Sequence, residues 1–154
     1  MKTNKVVYNN CYGGYELSLK AIKRYYELKY PGTSVYFYIQ KDLASTEYSK
    51  LTDLSFSPKI RLIDIYFEDL GKSFDSLDIR DKNKISVSEF METIPRHDPY
   101  LVSVVEELGE ESNGPYSDLC VKDIGESTRY HIDDYDGCET VTIDLPEDYW
   151  VVIE

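Results

Sequence analysis

A chain of 154 residues is long enough to bury a core without disulfides or metals, and a hydrophobic share of 42% argues for a folded protein. The formal charge of -12 repels duplex DNA and anionic membranes, so neither is an expected partner. No run approaches the roughly 20 apolar residues that cross a bilayer, the start MKTNKVVYNN lacks a signal-peptide stretch, and Cys11, Cys120 and Cys138 have neither CxxC nor CxxxH spacing. A reduced, cytoplasmic setting is expected, with no cofactor and no metal.

The first elements are a strand from Lys5 to Asn9 through Val6, Val7 and Tyr8, and a polar turn, Asn9-Asn10-Cys11-Tyr12-Gly13-Gly14. Ser18 can cap a helix in which Leu19, Ile22, Tyr25 and Tyr26 recur at spacings of three and four, until Pro31-Gly32 stops it. Val35 to Ile39 is a second strand, expected to pair in parallel with the first. Tyr48 and Leu51 allow a short helix in the weak stretch from Asp42 to Leu54, and Ile60 to Phe67 is another strand. Residues 68–95 are polar and lack a period, which predicts an irregular excursion or lid.

Asp98 can cap the next helix with Pro99 at its first position, where a missing amide costs nothing. Leu101, Val102, Val105 and Leu108 form its inward stripe, and Asn113-Gly114-Pro115 ends it. A strand from Leu119 to Ile124 follows, then a hairpin, Arg129 to Asp134 with Cys138 to Ile143, around Asp136-Gly137. Tyr149 to Ile153 adds an edge strand. The expected architecture is α+β, a single domain with a mixed sheet, two main helices and a C-terminal β-hairpin. The 15 tyrosines suit half-buried strands, a subunit interface or a ligand platform, and make a homo-oligomer an expectation.

Each polar cluster carries a functional and a plain structural reading. Asp78 to Phe90 resembles a calcium loop in spacing, but Arg80 and Lys82 stand where oxygen donors belong and Asn83 replaces the glycine of the bend. Gly13-Gly14 can let backbone amides approach a phosphate, or can simply close a tight turn. Cys11 near a helix start is a candidate nucleophile if His97 or His131 serves as base, and otherwise a packed thiol. Arg96 can hold a phosphate or carboxylate, or pair with a surface acid, while Asp98 caps its helix. The acids from Asp133 to Glu139 alternate along a strand, which predicts a solvent-facing hairpin rather than a carboxylate pair.

Three blocks, NNCYGGYELS, RHDPYLVSVVEELGEESNG and YHIDDYDGCETV, together resemble a widespread group of small bacteriophage and prophage proteins. In that group an NxCYGG turn, an RxDP helix and a YDGxE hairpin occur in this order. The middle region, roughly residues 40–95, is longer here and inherits no meaning. The resemblance implies a viral protein working in the host cytosol, with anti-defence activity as a sponge for a nucleotide-derived immune signal of the Thoeris or CBASS type. The residues expected to bind that small nucleotide-type ligand are Asn10, Cys11, Gly13 and Gly14 at the turn, Tyr12 stacking on a base, Arg96 on phosphate, and Asp98 or Asn113 reading hydroxyls. The alternatives are a Cys11-dependent enzyme acting on such a nucleotide and an acidic inhibitor that occupies a basic host surface.

Overall fold

The structure, a computed structural model, describes residues 3–32, 35–40, 47–54, 63–66, 76–78, 84–143 and 151–153. In chain order the elements are β1 (Asn4–Asn9), α1 (Leu19–Lys29), β2 (Tyr36–Gln40), β3 (Glu47–Leu51), β4 (Ile63–Tyr66), β5 (Ser76–Asp78), β6 (Lys84–Ser86), α2 (Val87–Glu92) and α3 (Pro99–Leu108), then β7 (Leu119–Gly125), β8 (Arg129–Tyr135), β9 (Cys138–Thr142) and β10 (Val151–Val152). The fold class is α+β with a C-terminal hairpin, as the sequence predicts. The chain divides into two compact units, one of Met1–Ala21 with Ile94–Glu154 and one of Ile22–Thr93.

In the first unit β1 pairs antiparallel with β7, with Val7 opposite Val121 and Tyr8 opposite Cys120. The β8–β9 hairpin turns on Asp136 and Gly137, whose φ angles of 52° and 89° are the positive values that an Asp-Gly turn tolerates. β10 adds to the free edge of β8. Val6, Ile124, Tyr130 and Val141 form a buried cluster, with Tyr8, Ile132 and Ile153 packed against it. Helix α3 packs on β1 and β7 and buries Leu101, Val102, Val104 and Val105, each contributing about 1.5–3 kcal/mol when fully removed from water. Its cap is the predicted one: the Asp98 carboxylate accepts from the Tyr100 and Leu101 amides at 2.8 and 3.4 Å. It stops sooner than Asn113, because Gly109 takes a positive φ of 58° and a 3-10 turn through Ser112 follows.

In the second unit the strands form one sheet in the order β5-β3-β2-β4-β6, every pairing antiparallel. The expected parallel pairing of the first two strands is therefore corrected. Strand β2 has both edges filled by its sequence neighbours β3 and β4, and β1 finds its partner in β7 instead. The short helix expected around Tyr48 and Leu51 is strand β3, held by ladders to β2 and β5 that outweigh a weak local pattern. Within the expected irregular stretch 68–95, the described residues include β5, β6 and α2. The Ser86 hydroxyl caps α2 by accepting from the Glu89 amide at 3.2 Å, and Phe90 packs edge-on against Tyr25 with ring centroids 6.1 Å apart. Residues 79–83 of the calcium-loop resemblance lie outside the described residues.

Candidate functional site: a tyrosine-bearing acidic tip

The site is built on Asn9, the last residue of β1 and fully buried. Its side-chain amide donates to the carbonyls of Cys11 and Gly137, each at 2.8 Å. Its side-chain oxygen accepts from the Asp118 amide at 2.8 Å and lies 3.4 Å from the Cys11 thiol. One side chain thus ties together the turn after β1, the loop before β7 and the β8–β9 hairpin. Burying a polar group this deeply costs little only when its hydrogen bonds are made, and here they are.

The loops approach closely enough that only glycine fits between them. A Cβ placed on Gly13 would lie 1.6 Å from the Tyr116 carbonyl oxygen, and one on Gly137 would lie 2.8 Å from the Gly14 nitrogen and the Tyr12 oxygen. Gly13 is therefore filled by protein backbone and leaves no room for a phosphate on that side. Gly13 is thus a packing device, while Gly14, with a positive φ of 93° and open space where a Cβ would stand, suits the tight turn that is the plainer sequence reading.

Arg96 meets this assembly from the turn before α3. Its guanidinium grips both oxygens of Glu139 at 2.7 and 2.8 Å and lies 3.3 Å over the Tyr15 ring. The Glu139 carboxylate also accepts from the backbone N–H of Asn9 at 2.8 Å. With only 5% of Glu139 exposed, this is a buried bidentate ion pair with a cation–π lid. The expectation that Glu139 faces solvent is corrected: it shares a strand face with Val141, and both point inward. Arg96 reaches Tyr15, just past the first turn, but its guanidinium, the expected phosphate contact, is paired with Glu139. The Tyr15 hydroxyl is buried with no hydrogen-bond partner among the described residues; burial, opposed by Arg96 and reinforced by Glu139, pushes its pKa up to about 12.

The other predicted residues are placed as follows. Asn10 is exposed, with its backbone amide on the Asp118 carbonyl at 2.8 Å. Asn113 is used structurally, its side-chain oxygen accepting from the Leu119 amide at 2.8 Å. Asp98 is occupied as a helix cap and almost buried. The Cys11 thiol has the Asn9 side chain and the Tyr116 carbonyl as partners, at 3.4 and 3.2 Å. No imidazole is among them: His97 lies 2.8 Å from the Tyr130 hydroxyl and His131 lies 3.1 Å from Asp133. A shallow cleft of about 160 Å³ is lined by Thr3, Asn4, Lys5, His97, Pro99 and Val102, and none of the predicted ligand residues faces it. No cluster of metal-ligating side chains occurs among the described residues.

What the locked loops present outward is aromatic. Tyr12 and Tyr116 on the two loops and Tyr135 at the end of β8 are 68%, 72% and 78% exposed. Of the three, sequence reasoning singled out only Tyr12. It also missed Asn9, Tyr15 and Glu139, although the Glu139–Val141 alternation in β9 carried a signal for Glu139. The segments 10–16, 113–118 and 133–139 contain no lysine or arginine, and Asp118, Asp133, Asp134 and Asp136 among them are exposed. Burial raises the pKa of the nearby Glu16 carboxyl.

Among the described residues no helix is long and apolar enough to cross a membrane. Comparison of the chain with protein-family models, curated proteins and solved structures finds no match.

Proposed function

We propose that this protein works by non-covalent binding and that the tip of its first unit is the contact surface. The observation that carries this reading is the presentation of Tyr12, Tyr116 and Tyr135 on three segments fastened to one buried side chain, Asn9. Exposed tyrosines lose little conformational entropy on binding and offer both an apolar face and a hydroxyl. In the viral setting that the sequence resemblance suggests, such a protein would block or sequester a component of host defence.

Sequestration of a nucleotide-derived signal is a second reading, supported by the exposed Tyr12 ring, on which a base can stack. It has lost Arg96 as its phosphate contact, since that guanidinium is committed to Glu139. The Cys11-dependent enzyme would need a base that the thiol's hydrogen bonds do not include.

Calorimetric titration with cyclic dinucleotides, ADP-ribose derivatives and an arginine-rich peptide, followed by recovery of each titrant after heat denaturation, tests the proposal. At least one titrant should bind, return chemically unchanged, and bind equally well to Cys11→Ala. Altered products, or no binding in any arm, would overturn it.

A further inference from the structure

Resting on the binding reading above, we infer that the tip recognises a cationic protein segment, a strand or loop carrying arginines, through its three exposed tyrosines. The three exposed tyrosines on the tied segments are the site, and the charge around them selects the occupant. Exposed large aromatics on tied segments mark an interaction surface more than a solvated one. A tyrosine face attracts a guanidinium, which can stack on the ring and donate in the ring plane to a neighbouring carboxylate. Exposed Asp118, ahead of β7, and Asp133, Asp134 and Asp136, in the hairpin, supply those carboxylates on two of the three segments.

The three segments themselves, 10–16, 113–118 and 133–139, carry no lysine or arginine, and of these acids His131 reaches Asp133. The one arginine beneath the tip, Arg96, is consumed by Glu139. A phosphate-bearing ligand would meet this field as a like charge, and a second copy of the tip would meet it the same way. A basic peptide meets it with opposite charge, on rings carried by backbone that the Asn9 side chain ties together.

The test is titration of the full chain with an arginine-rich peptide, a lysine-rich peptide of equal charge, and a cyclic dinucleotide, each at about 50 and 250 mM salt. The arginine peptide should bind most tightly and weaken about tenfold or more between the two salt levels. Replacing Tyr12, Tyr116 and Tyr135 together by serine should weaken it about tenfold or more, with the thermal midpoint unchanged, because these side chains are solvent-exposed. Asp118→Asn with Asp136→Asn should flatten the salt dependence while leaving the fold intact, since asparagine tolerates the backbone angle at Asp136.

Equal binding of the two peptides, or peptide binding that survives the tyrosine changes, would overturn the inference. Nucleotide binding at the tip without peptide binding would overturn it while leaving the non-covalent reading standing, and silence in every arm would remove both. Self-association abolished by the tyrosine changes, without peptide binding, would assign the surface to a second copy and refute the cationic partner.

Discussion

Replacing Arg96 by methionine removes the guanidinium but keeps much of the volume over Tyr15. Both Glu139 oxygens then lose their charged donors, which sit at 2.7 and 2.8 Å, and among the described residues the carboxylate keeps the backbone N–H of Asn9 at 2.8 Å. Breaking one side of a buried ion pair costs about 3–5 kcal/mol because the other charge stays behind unpaired. The retained Asn9 donor and the partial exposure of Arg96 itself, 22%, place this case near the lower end, at about 3 kcal/mol. For a chain of this size that lowers the thermal midpoint by about 6–12 °C.

Scanning calorimetry of Arg96→Met, Glu139→Gln and the double variant measures the effect and the coupling together. The double variant should recover about 2 kcal/mol of the summed single losses, since it buries no orphaned charge. A single-variant loss below about 0.5 kcal/mol, the range of ordinary surface substitutions, would refute the claim that Arg96 is committed to Glu139. That result would return the arginine to the role of a free anion contact.

Gly13→Ala should destabilise by about 2 kcal/mol or more, because its Cβ would fall 1.6 Å from the Tyr116 carbonyl oxygen and backbone has to move; an unchanged denaturation midpoint would contradict the interlocked loops. Tyr15→Phe removes an unpartnered buried hydroxyl and should stabilise by about 1 kcal/mol at neutral pH, measured by urea denaturation. The Tyr15 pKa is raised from 10.0 to about 12, so the folded state holds that proton more tightly and stability falls as pH rises between those two values. This alkaline loss amounts to about 3 kcal/mol at most and should be reduced in Tyr15→Phe; an identical alkaline limb would show that the phenol is not buried.

The elements that rest on strong local chemistry were legible in the sequence. Asp98-Pro99 marked the start of α3, Asp136-Gly137 marked the hairpin, and Ser18, whose hydroxyl accepts from the Ala21 amide at 3.1 Å, marked the start of α1. The missed α2 had a signal too, since Ser86 and Glu89 have the spacing of a helix-start capping pair. The β8–β9 pairing was legible, but the partner of β1 was not, because β7 lies far along the chain where no local window reaches.

The same limit governs the site. The polar, turn-forming residues of NNCYGG and RHDP suggested one shared site, whereas the YDGCE hairpin was expected to face solvent and instead supplies Glu139 to Arg96. The roles within the blocks were not readable, because Asn9 and Glu139 look like surface residues until the burial around them is known. Asn10 was chosen over its neighbour Asn9, yet strand alternation puts Asn9 on the same face as the buried Val7 and sends Asn10 outward. Arg96, Asp98 and Asn113, taken as ligand contacts, are bonded to other protein groups, namely Glu139, the Tyr100 and Leu101 amides and the Leu119 amide, and the chemistry left for a partner is the exposed tyrosines.

Amide hydrogen exchange on Asn9→Ala probes the joint on which the tip depends. Protection should fall together in residues 10–14, 116–118 and 136–139, the segments held by that side chain, while α3 keeps its protection. Loss confined to the residues adjoining position 9, with the hairpin and the loop before β7 unaffected, would contradict a tip built as one rigid piece.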